Sequence, residues 1–450
     1  MTALVDLLQH GPRPVDAAPG TPPERTLLKH EDRFWEASAK APAHKLDLDA
    51  ATLGAAVAVA ALCGAGTRDE AVQVITTLPS LPGHQTAAAA NWLATLYPAD
   101  GNRYWGSLQP DRVAEYHASR VIEGGAIPLA ALLAAGSPTQ QAQTMTVLAR
   151  AAIAHYNAGR TTNSDRVLHT LDTALDTTPL AYQAIQSTTA ALPYPSRVTA
   201  PLALKLTTTL TQANRQLADL EPAAFERDLA ASLSNLGGRL SEAGRRAEAL
   251  TAEQQAVEIY RRLADLDPTA FEPDLATSLS NLGNHLSEAG RRAEALTAEQ
   301  QAVEIYRRLA VGDPAAFEPD LAGSLSNLGN HLSEAWRRAE ALTTTEQAVE
   351  IRRRLAVGDP AAFEPDLARS LTVLAMLIAM KGDLSGALRV TAEAVELYRR
   401  RIATTPTLLP GLHGALVLQA SVLDALGRPE DAEAVRRWLG ENPLPPGSRN

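Results

Sequence analysis

Cysteine is nearly absent: Cys63 is the only one in 450 residues. An intrachain disulfide is therefore impossible, and a zinc site built on several cysteines is excluded. Cys63 follows Leu62 in an apolar run and reads as a small core residue. Aromatic residues make up only 4% of the chain. The core must then be assembled from Ala, Leu and Val, which suits closely packed helices. Lysine is also scarce. Lys29, Lys40, Lys45, Lys205 and Lys381 are all there are; none follows a Gly, and none precedes Ser or Thr. A P-loop needs Gly-Lys-Ser/Thr, because its lysine must reach the outer phosphates from a glycine-rich loop. That motif is missing.

No half of the chain is basic. Residues 1–200 carry 14 basic and 17 acidic groups, residues 201–450 carry 27 and 34, and the formal net charge is −10. Affinity for nucleic acid comes mainly from clustered Lys and Arg, so this balance disfavours a nucleic-acid partner. No stretch approaches 18 apolar residues without a charge, and no transmembrane helix or membrane partner is expected. The first nine residues lack a basic region, and Asp6 interrupts them, so no signal peptide is expected either. The cytoplasm is the default location.

Signatures of chemistry are missing as well. Gly64-Ala65-Gly66 lacks the third glycine of a dinucleotide loop and follows a helical run, which makes it a helix–helix turn. There is no Gly-x-Ser-x-Gly elbow. The ten histidines are scattered, with no pair at i, i+4. The sequence offers no catalytic residue, no metal site and no cofactor, and we expect no enzyme.

What the chain has in abundance is self-similarity. Pro222, Pro268, Pro314, Pro360 and Pro406 recur every 46 residues, and Phe225, Phe271, Phe317 and Phe363 keep the same step. Segments opening at Ser232, Ser278 and Ser324 each read Ser-Leu-Ser-Asn-Leu-Gly. A fixed period of this length indicates a solenoid of stacked supersecondary units. Within the unit Phe271–Pro314, Pro273 suits the first turn of a helix. Leu275, Leu279, Leu282 and Leu286 form one apolar face. Gly290 suits a left-handed cap. A second helix runs from about Arg292, and Gly312, Asp313 and Pro314 end it. Gly283, Ala295 and Ala302 mark places where helix axes approach closely. Glu304 and Arg308, like Glu258 and Arg262, Glu350 and Arg354, or Glu396 and Arg400, have the spacing of a pair along one helix.

Leu279, Leu282, Gly283, Leu286, Ala295 and Ala302 fall on signature positions of the tetratricopeptide repeat, which the pattern resembles over roughly residues 201–440. The unit is longer than usual, like the kinesin-light-chain type of repeat, and Glu299 stands where the signature has an aromatic. The resemblance implies an all-α helical-hairpin solenoid opened by a half unit and closed by a divergent one.

Upstream, residues 1–24 read as a flexible lead and 25–145 as a mainly helical, winged-helix-like domain. Residues 146–200 read as irregular helical pairs, and 441–450 as a disordered tail. Residues 48–64 form an Ala-rich helix. Thr67 with Glu70 forms a capping box, and Asn91 to Tyr97 ends a helix at Pro98. Asp100 to Gln109 reads as a short hairpin or wing, and Pro110 opens the next helix. Leu27-Leu28-Lys29-His30-Glu31-Asp32-Arg33-Phe34-Trp35, Tyr104-Trp105-Gly106-Ser107-Leu108-Gln109-Pro110-Asp111-Arg112 and Glu115-Tyr116 resemble the region after the nucleotide-binding module of actinobacterial STAND-type signalling ATPases. That resemblance implies a sensor half without its motor, acting with a separate ATPase.

Asn235, Asn281 and Asn327 precede the signature Leu, and Asn284 and Asn330 follow on the same helical face. Ser234, Ser280 and Ser326 flank them. In the repeat family this helix lines a concave groove, where an amide that both donates and accepts can hold a peptide backbone. Two readings stand side by side: a ladder for a protein or peptide partner, or a ladder that ties neighbouring helices together. Val373 ends the row in the fourth unit. At the turn where the other units have Gly244, Gly290 and Gly382, the third has Trp336. There the turn either changes its geometry, with the indole lying over the helix stems, or presents the indole as an anchor. The function expected is a non-catalytic binding scaffold, the alternative being the regulatory portion of a STAND-type ATPase or transcription regulator.

Overall fold

The computed structural model describes residues 22–99, 101, 103–106, 108–109 and 111–444. Most of the expected lead, the end of the expected tail, and Pro110 lie outside the described residues. The chain divides into two compact bodies, residues 1–225 and 226–450. The division falls inside a helix, Pro222–Glu242.

The first body is built from α1 (Pro23–Ala39), α2 (Ala50–Cys63), α3 (Arg68–Ile75), α4 (Thr86–Leu96), α5 (Asp111–Glu123), α6 (Leu129–Ala135), α7 (Pro138–Asn157), α8 (Thr161–Thr177), α9 (Tyr182–Ala191) and α10 (Ala200–Leu220). From Thr52 onward α2 is buried on all sides. Its small side chains allow neighbours to close on every face, and the Asp49 carboxylate caps it at the Thr52 N–H, 2.7 Å away. The Thr67–Glu70 capping box forms at the start of α3. Helix α7 runs straight through residue 145. The hairpin expected over 100–109 does not form among the described residues. Tyr104 N–H instead donates to Ala65 O at 2.9 Å, giving one isolated bridge between Ala65 and Trp105. Trp105 is fully buried, so this segment crosses to the α2–α3 corner to bury an indole.

The second body continues from α11 (Pro222–Glu242) through α12 (Arg246–Leu266), α13 (Pro268–Glu288), α14 (Arg292–Gly312), α15 (Pro314–Glu334), α16 (Arg338–Gly358), α17 (Pro360–Met380), α18 (Leu384–Ile402), α19 (Leu409–Ala425) and α20 (Pro429–Glu441). Consecutive helices pack as hairpins, and each hairpin packs on the next, which is a helical solenoid. The 46-residue period has a simple composition. Two helices of 21 residues are joined by a three-residue turn, and Asp313 alone links one hairpin to the next. Asp267, Asp313 and Asp359 accept from the N–H three residues on, each at 3.1 Å, while Pro268, Pro314 and Pro360 occupy the first helical position. Those caps move the helix start upstream of the expected one. Pro273 is therefore interior, at the sixth position, where its missing N–H removes one helical bond.

At the turns, Gly244, Gly290 and Gly382 have positive φ, and Arg291 N–H returns to Leu286 O at 2.8 Å. Trp336 keeps that left-handed geometry, with φ 62°. The turn does not adapt to it. The indole is 75% exposed, and the Arg338 guanidinium lies 5.0 Å from its ring centre.

One segment, Pro406–Ala425, is apolar and long enough to cross a membrane by length and composition, contrary to expectation. Its Leu412, Ala415 and Leu416 are buried against Leu371 and Tyr398 in the last part of the stack.

Candidate functional site

Each first helix of a hairpin turns one stripe outward, spaced 3, 7, 10 and 14 residues along it, as a helical face requires. In α13 the stripe is Asp274, Thr277, Asn281, Asn284 and Glu288. In α15 it is Asp320, Gly323, Asn327, Asn330 and Glu334. In α17 the same positions hold Asp366, Arg369, Val373, Met376 and Met380. All fifteen are half-buried or exposed.

The asparagines divide into two groups. Asn281 Nδ2 donates to Ser234 Oγ at 3.2 Å, and Asn327 Nδ2 to Ser280 Oγ at 3.1 Å. Each amide thus reaches back to the preceding unit and ties two first helices together. Asn235, Asn284 and Asn330 make no side-chain hydrogen bond among the described residues. The eight residues of the expected ladder are therefore brought onto one face, but five of them are engaged within the stack.

The serines lead to the feature that sequence reasoning missed. Ser234 Oγ donates to the Glu253 carboxylate at 2.8 Å, and Ser278, from the next unit, donates to it at 2.6 Å. One unit on, Ser280 donates to Glu299 at 2.9 Å, and Ser324 is hydrogen-bonded to the same carboxylate. Both glutamates are inaccessible to solvent. Burial pushes each carboxyl up to about 7, and the serine hydroxyls only partly oppose it. Each carboxylate thus joins three helices: the two of its own hairpin and the first of the next. Glycine makes room for it. A Cβ on Gly283 would lie 3.1 Å from Glu299 Oε2 and 3.4 Å from Ala295 O. The only sequence signal was Glu299 at a position where an aromatic was due.

The third seam reverses the sign. Thr345 replaces the glutamate, and Arg352 stands where other units have Tyr260, Tyr306 and Tyr398. Arg352 Nη1 donates to Ser326 Oγ at 2.9 Å and also to Ser370 Oγ. Ser326 turns its own proton to Ala322 O, 2.9 Å away, which frees its lone pairs for the guanidinium. Val373 occupies the place of Asn327 and brings no competing amide. Burial holds the Arg352 guanidinium below its ordinary value.

The expected pairs along the second helices are mostly replaced by pairs between helices. Arg262, Arg308 and Arg354 reach Glu226, Glu272 and Glu318 at 2.9, 2.6 and 2.7 Å, and Arg400 reaches Glu364 at 3.1 Å. Of the four expected contacts only Glu350–Arg354 is present, at 3.6 Å. The first-helix carboxylates are less exposed than Glu350, so the attraction is less screened there.

In the first body, Ser119 and His155 form a buried contact of 2.8 Å that has the outline of a nucleophile and base. The protons run the wrong way. His155 Nδ1 accepts from Arg160 Nε at 3.0 Å, so Nε2 carries the hydrogen and donates to Ser119, which donates to Tyr116 O. The imidazole cannot take the serine proton, and the pair is a structural relay. Cys63 is buried against Thr144 and its thiol is pushed up to about 12, which keeps it unreactive. Among the described residues no group of three His, Cys, Asp or Glu could hold a metal.

Residues 229–268, 275–314 and 321–360 match the tetratricopeptide repeat family model. These units are tetratricopeptide repeats. Solved structures with similar architecture include BtubC (BKLC) from P. vanneervenii, at 19% identity over 56% of this chain and 95% of that one, TM-score 0.44. A second is the putative kinesin light chain of Podosopora anserina with nearly identical repeats, at 20% identity over 47% and 93%, TM-score 0.38. A third is YrrB, a repeat protein with an unusual peptide-binding site, at 18% identity over 50% and 89%, TM-score 0.32. No curated protein matches the chain significantly.

Proposed function

We propose that the repeats form a non-catalytic scaffold that binds a protein or peptide partner along the groove lined by the first helices. The observation that carries this reading is the recurrence of exposed, unbonded amides, Asn284 and Asn330, one unit apart on a stack fixed by its seams. Such a row can donate to and accept from an extended backbone whatever its side chains. Asn281 and Asn327 support the row from behind by tying its helices together.

The test separates the two groups. The partner is recovered by affinity purification and identified by mass spectrometry, and its affinity is measured by calorimetry. N284A/N330A weakens binding by about 1–3 kcal/mol with an unchanged melting temperature. N281A/N327A lowers the melting temperature. Full affinity in folded N284A/N330A would refute the groove. The residues that carry the STAND-type resemblance include Leu28, Trp35 and Trp105, which are core residues. A sensor role with a separate ATPase rests on that resemblance alone.

A further inference from the structure

We propose that this face selects a basic peptide whose one bulky apolar side chain settles on Met376 and Met380. The inference rests on the groove reading above and names the chemistry of its ligand.

Two observations on the same stripe carry it. The amides of α13 and α15 are framed by carboxylates, Asp274 and Asp320 at one end and Glu288 and Glu334 at the other. Arg227 lies 3.5 Å from Asp274, and Arg246 lies 4.0 Å from Glu288. Asp320 and Glu334 have no Lys or Arg partner among the described residues. Partial burial raises the Asp320 carboxyl, as befits a carboxylate lacking a cation. Cationic side chains on a ligand would complete these sites, and acidic ligands would be repelled.

The stripe then changes character within one unit. Where α15 has Asn327, Asn330 and Glu334, α17 has Val373, Met376 and Met380. Met376 is 41% exposed and Met380 45%, and they lie four residues apart on one helix face. Unbranched, polarisable methionine side chains adapt to varied apolar partners. Adjacent packed helices lie about 8–10 Å apart, and an extended chain advances about 3.3 Å per residue. A cationic side chain over α15 and an apolar one over α17 thus stand about three residues apart in the ligand.

A positional-scanning library of synthetic ten-residue peptides, probed with the full chain, tests this. The expected preference is for Lys or Arg, with Leu, Met, Ile or Phe three positions away. In fluorescence anisotropy, M376E/M380E weakens the selected peptide more than tenfold and abolishes the apolar preference while the basic one stays. D320N/E334Q weakens it less and reduces its salt dependence. These side chains are exposed, and circular dichroism confirms that the variants fold. A preference for acidic peptides, an apolar preference untouched by M376E/M380E, or a self-dimer that this variant dissociates would each overturn the inference. Peptides that bind through Asn284 and Asn330 but ignore the methionines would sink the inference and leave the groove standing. If no library peptide binds, the groove reading itself falls.

Discussion

Replacing Glu253 and Glu299 by Gln should make the solenoid more stable at pH 8 and leave it nearly unchanged at pH 5. Both carboxyls are pushed from an ordinary 4.5 to about 7 in the folded state. A group whose folded value lies above its unfolded one binds its proton more tightly when folded. Its contribution is full below the unfolded value and is lost as pH rises through the folded one. For each glutamate that loss is about 2–3 kcal/mol between pH 5 and 8, and about twice this for the pair if the sites are independent. Burial lowers His285 and His331, so they act in the opposite direction and destabilise the fold as pH falls. They are present in wild type and variant alike and cancel in the comparison. The assay is urea denaturation followed by helical circular dichroism at pH 5 and pH 8. The expected result is a stability difference in favour of E253Q/E299Q that grows by about 5 kcal/mol across this interval, within a factor of two. An equal difference at both pH values would mean that the carboxylates stay ionised in the fold, and the reasoning from burial would fail.

Further outcomes follow from the seams and turns. R352Y removes a buried guanidinium and installs the residue of the other units, and should hold or raise stability by up to about 2 kcal/mol; a loss in chemical denaturation would show that the guanidinium bonds outweigh desolvation. G283A forces a Cβ against Glu299 and Ala295 and should destabilise by about 1–3 kcal/mol, read as a lower denaturation midpoint. W336G relieves a left-handed non-glycine residue and should stabilise by about 0.5–1 kcal/mol; unchanged peptide affinity keeps the binding site on the first-helix face, and a clear loss moves it to the turns. Calorimetry with ATP and magnesium should give no saturable heat, and a micromolar dissociation constant would contradict the missing P-loop.

Much of the second body was legible because its signals are local and repeated. Leucines at helical spacing, glycine at the turn and proline at the start recur with one period, and each has a single physical meaning. Pro273 misled because two prolines five residues apart both suit a helix start, and only the Asp267 cap decides between them. The seams were not legible. A glutamate in a charged sequence reads as a solvated residue, and only the stack shows that Ser234 and Ser278, from different units, close over Glu253. The same holds for the asparagines. Their common face follows from spacing, whereas the division between Asn281 and Asn284 depends on which neighbour stands behind each. The 100–109 segment failed for a related reason. Its partner is Ala65, far away in sequence, and no local pattern announces that pairing.

The seam chemistry also sets how such an array can grow. Residues 268–313 present Ser280, Glu299 and Asn281 to whatever follows and precedes them, and a duplicated copy would meet its twin with every donor and acceptor matched. Residues 314–359 end differently. A copy inserted after them would bring the amide of Asn327 to Ser326, where Arg352 already donates. Two donors would crowd one hydroxyl whose proton is committed to Ala322. Lengthening by duplication is therefore open among the glutamate-bearing units and closed at Arg352, which makes that residue the terminator of the series.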